Sequence, residues 1–141
     1  MKPPFKNICV IGLGYVGLPT AAVIAGRGIP VFGVDINPDT VETINRGRIH
    51  IVEPGLEDLV NGAVTAGTLK AALAPEAADA FIIAVPTPLA DGNRPDLSYL
   101  KAAAKALAPV LREGDLVVVE STSPVGTTRA FYRIKHGIPE K

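Results

Sequence analysis

Gly12, Gly14 and Gly17 form a G-x-G-x-x-G pattern, and Asp35 follows 18 residues after the last of them. Those residue types, with an acid about 20 positions on, suit the chemistry of holding a dinucleotide. Gly12 permits a tight turn. Gly14, lacking a side chain, lets a pyrophosphate approach the backbone. Gly17 lets a helix pack closely on a strand. The N–H groups of Tyr15 and Val16, at the start of the helix that follows, would donate to the pyrophosphate, aided by the helix dipole. Asp35 would accept hydrogen bonds from the adenosine ribose hydroxyls. Its charge repels a 2′-phosphate, so the pattern favours NAD over NADP. The competing reading is a strand-to-helix turn with no ligand, because the glycine pattern alone is common. Its position after an apolar run and before a helix, with a second apolar run ending in the acid, favours the nucleotide.

Two further clusters offer polar groups. In Val85-Pro86-Thr87-Pro88 the prolines stiffen the backbone and Thr87 presents a hydroxyl; an ordinary proline turn reads the same way. Glu120-Ser121-Thr122-Ser123-Pro124-Val125-Gly126-Thr127-Thr128 sets several hydroxyls and one acid after an apolar run. That segment can hold water and polar substrate groups, and Ser123 before Pro124 also suits a helix N-cap. Cys9 sits in mid-strand and reads as an inert core residue. His50 and His136 are isolated and lack partners at metal-ligand spacing.

The elements that position these residues follow from hydrophobic periodicity. Residues 7–11, 29–34, 80–85 and 116–119 are short apolar runs and predict strands buried on both faces, with a shorter one over 68–73. Residues 14–27 predict a helix in which Pro19 is tolerable near the first turn. Asn37-Pro38 predicts a helix start, and Gly47 its end. Leu56, Leu59, Val60, Ala63 and Val64 share one helical stripe, as do Leu100, Ala103, Ala104, Leu107 and Leu111 with Asp96 as N-cap. Residues 86–95 read as a loop. Strands linked by helical crossovers imply an α/β, Rossmann-like, doubly wound and mainly parallel sheet with helices on both faces. In such a sheet ligands bind at the carboxyl ends of the strands, where the polar clusters fall.

Composition excludes other classes. The 141 residues are 48% apolar and 20% charged, so a packed core is expected and disorder is not. Fourteen basic residues balance fourteen acidic ones, which argues against a nucleic-acid binder. One cysteine excludes an internal disulfide framework. No apolar run approaches the ~18 residues of a membrane span. The first residues show no signal-peptide pattern. A cytoplasmic protein with no membrane partner is the expectation.

The run Val10-Ile11-Gly12-Leu13-Gly14-Tyr15-Val16-Gly17-Leu18-Pro19 resembles the opening of the UDP-glucose/GDP-mannose dehydrogenase family. Val34-Asp35-Ile36-Asn37, Ile44-Asn45-Arg46-Gly47, Val85-Pro86-Thr87-Pro88 and Ser121-Thr122-Ser123-Pro124-Val125-Gly126 resemble it too, in family order. Ile49-His50-Ile51-Val52-Glu53-Pro54 and Glu120 are similar to the UDP-N-acetyl-D-mannosamine branch; the UDP-glucose branch usually has a tyrosine before Glu-Pro-Gly-Leu and often a lysine at the position of Glu120.

The resemblance implies a two-step oxidation of a UDP-amino sugar at C6, from alcohol to carboxylate, through a cysteine thiohemiacetal and thioester, with two NAD consumed. It places Tyr15, Val16, Asp35, Thr87 and Thr122 near the cofactor, gives Thr122 a role in orienting water near C6, and adds Thr128 as a further cofactor contact. It also implies a homo-oligomer for the full-length form. The family's nucleophilic cysteine and its helpers lie in a region beyond residue 141, so the resemblance is to the cofactor half of a longer architecture. The expected organisation is an NAD-binding domain over 1–128 and an atypical tail over 129–141, with a helix as one reading of that tail. A UDP-glucose 6-dehydrogenase is the nearest alternative. A stand-alone, non-catalytic NAD-binding module is the alternative from another class.

Overall fold

A computed structural model describes residues 4–139. Five parallel strands form the main sheet: β1 (Ile8–Ile11), β2 (Val31–Val34), β3 (Leu69–Ala72), β4 (Ala80–Ile83) and β7 (Leu116–Val119). Their spatial order is β3-β2-β1-β4-β7, in continuous register; Ile8 lies opposite Val31 on one side and Ala80 on the other. The chain moves outward from β1 to β3, then returns past β1 to build β4 and β7. That reversal between β1 and β4 opens a crevice at the strands' carboxyl ends.

Alternation along each strand divides the core into two layers. Ile8 and Val10 pack with α1 (Gly17–Gly26), α2 (Pro38–Asn45) and α3 (Leu56–Thr65) on one face. Cys9, Ile11, Phe81 and Ile83 pack with α4 (Ser98–Leu107) and α5 (Thr127–Lys135) on the other. The expected Rossmann-like architecture is therefore present, with helices on both faces.

Local chemistry sets the element ends. The first helix begins at Gly17 rather than Gly14, because residues 14–16 are used in the turn; Pro19 then falls in the first turn, where no intrahelical donor is lost. Asn37 caps α2 as expected, its Oδ1 accepting from the Asp39 N–H at 3.0 Å, with Pro38 at the first helical position. Asp96 accepts from the Ser98 N–H at 2.9 Å, one position before the assigned cap Leu97. The expected cap at Ser123 is not formed. Gly126, at φ +92°, opens α5, and Thr127 Oγ1 donates instead to the Pro124 carbonyl at 2.8 Å.

Two expectations change. Residues 86–95 are not wholly loop: β5 (Leu89–Ala90) and β6 (Arg94–Pro95) form a minimal antiparallel pair. Strand β7 is not buried on both faces. It is one of the two sheet edges, and Leu116 and Val118 are exposed because no helix among the described residues covers that side. An apolar run signals a strand without saying which strand ends at the edge.

Candidate functional site

The carboxyl ends of β1, β2, β4 and β7 converge on a cleft of about 350 Å³. Gly12, Gly14, Tyr15, Val16, Asp35, Thr87 and Thr122 all line it. Gly17 lies just beneath, as the first residue of α1. Sequence positions up to 110 residues apart are thus brought to one crevice, as strand-end placement requires.

The three glycines differ in what demands them. Gly12 has φ +92°, and a Cβ there would sit 2.6 Å from the Ala84 carbonyl oxygen. A Cβ on Gly17 would sit 1.7 Å from the Gly12 carbonyl oxygen. Both are required by the fold itself. Gly14 is different: a Cβ would meet no protein atom within 4 Å, and its φ is not in the left-handed region. Neither packing nor conformation requires that glycine, and the absence of a side chain leaves its backbone open to close approach. The N–H groups of Tyr15 and Val16 have no acceptor among the described residues. They stand at the N-terminus of α1, where donors and helix dipole favour an anion.

Asp35 is held by the backbone. Its Oδ2 accepts from the Leu13 N–H at 3.0 Å, and its Oδ1 accepts from the Asn37 N–H at 2.9 Å. Each oxygen keeps a lone pair for a hydroxyl. The carboxylate therefore ties the end of β2 to the glycine turn while facing the cleft.

Beside Asp35 the cleft runs into a second hollow of about 230 Å³, walled by Ile36, Leu73, Pro75, Tyr99, Ala102 and Ala106. Its walls are mostly apolar. Sequence reasoning missed these residues. The available signal was the Tyr99, Ala102, Ala106 side of α4, a tyrosine and two alanines beside the buried Leu100 stripe.

On the opposite wall the polar segment after β7 divides its roles. Ser121 Oγ donates to the Val85 carbonyl at 2.8 Å, clipping the end of β7 to that of β4. Thr127 is buried. Thr87 and Thr122 have no protein hydrogen-bond partner among the described residues, so their hydroxyls remain available. Glu120 also lines this wall, with Oε1 3.4 Å from the Thr20 hydroxyl. Thr128 is not brought to the cleft. It lines a separate groove with Val119, Phe131 and Tyr132, since α5 begins at Thr127 and the next residue turns to another helix face.

Cys9 is fully buried in β1, and burial pushes its thiol from 9.0 up to about 12. A protonated, inaccessible thiol is no nucleophile. The His136 ring rests against Tyr132, centroids 4.3 Å apart.

The family model described as "UDP-glucose/GDP-mannose dehydrogenase family, NAD binding domain" matches residues 6–139.

The chain belongs to the UDP-glucose/GDP-mannose dehydrogenase family.

Within it, the chain is 64% identical over 124 residues to an NDP-N-acetyl-D-galactosaminuronic acid dehydrogenase of Ralstonia nicotianae, covering 88% of this chain and 29% of that protein. It is 62% identical over 125 residues to a UDP-N-acetyl-D-mannosamine dehydrogenase of Campylobacter jejuni, covering 88% of this chain and 31% of that one. The solved UDP-N-acetyl-mannosamine dehydrogenase of Staphylococcus aureus superposes with a TM-score of 0.87 at 41% identity, over 94% of this chain and 32% of its own. The chain thus spans about a third or less of the length of these relatives. The family model extends through α5, past residue 128. The NAD-binding Rossmann fold expected from the glycine turn and Asp35 is the fold of this family domain.

Proposed function

We propose that the chain is the NAD-binding portion of a UDP-N-acetyl-hexosamine 6-dehydrogenase, with UDP-N-acetyl-D-mannosamine as the substrate. The observation that carries the cofactor site is Gly14, a glycine that the protein's own packing does not need, beside two free N–H groups. In this reading the N–H groups of Tyr15 and Val16 bind the pyrophosphate. Asp35 binds the adenosine ribose, and the hollow next to it takes the adenine. When bound there, NAD supplies a two-electron hydride acceptor. Thr87 and Thr122 orient polar groups at the far end of the cleft, and Thr122 holds water or the sugar C6 oxygen near the reacting centre. Support for the amino-sugar branch comes from residues 49–54 and Glu120, together with relatives whose names specify N-acetylated sugars. A UDP-glucose substrate remains the alternative within the family, and a cofactor-binding module without catalysis the alternative outside it.

Cys9, buried within β1, cannot supply the thiohemiacetal and thioester step of that reaction, so the nucleophile is not among the described residues. The full-length protein is read as a cytoplasmic homo-oligomer. No helix among the described residues is long and apolar enough to cross a membrane.

Calorimetric titration with NAD and, separately, NADP tests the reading. Saturable binding of NAD, tighter than NADP, is expected. A folded chain that binds neither would overturn the cofactor assignment. Asp35→Ala should weaken NAD binding severalfold, through loss of the ribose contact and of the tie to the Leu13 N–H. Unchanged affinity would remove Asp35 from the site.

A further inference from the structure

We propose that Glu120 sets the redox-state preference of the cleft, favouring the oxidised dinucleotide over the reduced one. The inference rests on the cofactor reading above and adds a role for a residue which that reading leaves without one.

The cleft has a polarity. Asp35 and the apolar hollow of Ile36, Leu73 and Tyr99 lie at the β2 side. The glycine turn after β1 is central, and Thr87, Glu120 and Thr122 lie at the ends of β4 and β7. A dinucleotide with its adenosine at Asp35 and its pyrophosphate on the turn must place its nicotinamide half on the β4/β7 side. Among the described residues, two carboxylates line the cleft, Asp35 and Glu120. Asp35 belongs to the adenosine end, and two backbone N–H groups already share its charge. Glu120 is the one formal charge among the described residues lining the other end. Its polar neighbour is the neutral Thr20 hydroxyl at 3.4 Å, whose single proton is shared with the closer Val16 carbonyl at 2.9 Å. No cation among the described residues neutralises Glu120.

The nicotinamide ring carries a positive charge when oxidised and none when reduced. The phosphates, riboses and adenine are the same in both forms. A carboxylate on the nicotinamide side therefore attracts one form and not the other, and the ratio of the two affinities isolates its effect. Glu120 is solvent-exposed, so water and salt screen the interaction. One charge several ångströms away in a high-dielectric setting changes an affinity ratio by about threefold.

The test is titration of the whole chain with NAD and with NADH, for the native protein, Glu120→Gln and Glu120→Lys. The expected result is a native ratio Kd(NADH)/Kd(NAD) that falls about threefold in Glu120→Gln and further in Glu120→Lys. Glu113→Gln removes the same charge before the opposite end of β7 and should leave the ratio unchanged. Raising the salt concentration should lower the native ratio toward that of Glu120→Gln, a measurement that needs no variant to fold. A ratio unaffected by both substitutions and by salt would overturn the role of Glu120 while leaving the cofactor site intact. A native chain that binds neither form would overturn the site and the role together.

Discussion

At the scale of single residues, the glycine turn separates two kinds of necessity. Gly17 is fixed by the protein, because any side chain there collides with the Gly12 carbonyl. Gly14 is not required by the protein's own packing, and the proposed cofactor site assigns it to close approach of a ligand. These two origins make opposite predictions. Gly17→Ala should lower stability by several kcal/mol or prevent folding, as steric overlap with backbone has no side chain to yield. Gly14→Val should fold with a native-like circular dichroism spectrum and melting temperature, yet lose NAD binding by at least tenfold. A Gly14→Val chain that binds normally would show that the turn does not cradle a phosphate. Both glycines look alike in the G-x-G-x-x-G pattern. Only the space around each distinguishes them. Asp35 was legible from its spacing, but its hold on the Leu13 N–H was not, since that contact joins residues 22 apart through the pairing of β1 with β2.

At the scale of elements, caps and edges carry the clearest consequences. The Asp96 carboxylate accepts from the backbone and hydroxyl of Ser98, which holds its pKa below the ordinary carboxylate value. A group whose pKa is lower in the folded state stabilises above its unfolded pKa, and that contribution is lost as pH falls through the folded value. Asp96→Ala should therefore destabilise α4 at neutral pH. The difference from the native chain should shrink below about pH 4 as Asp96 becomes protonated in both states. Urea denaturation at pH 7 and pH 3 checks this, and a constant difference would mean that charge has no part in the cap. The start of α2 was readable because Asn37 and Pro38 act locally. The start of α5 was not, because the positive φ of Gly126 and the turn at Pro124 displaced the expected Ser123 cap.

At the scale of the molecule, the sheet is unevenly covered. Phe81 is wholly buried between β4 and α4, while Leu116 and Val118 on β7 are 46% and 41% exposed. Phe81→Ala should cost about 3–5 kcal/mol through lost burial and a cavity. Val118→Thr should change stability by less than about 0.5 kcal/mol, since threonine keeps the strand propensity and little buried surface is lost. Equal losses at both positions would mean that β7 is covered in solution. The sequence by itself determined the alternation of strands and helices, the parallel sheet, the glycine turn after β1 and the acid that follows β2. Each of these depends on periodicity, on glycine's missing side chain or on spacing within one βαβ unit. Only the tertiary structure decided that β7 is a sheet edge, that an apolar hollow lies beside Asp35, that Thr128 turns away and that Glu120 faces the cleft. Those facts depend on which strand lies beside which, and on the direction each side chain takes where separate loops meet. Such relations are set by packing between segments remote in the chain, and no local pattern encodes them.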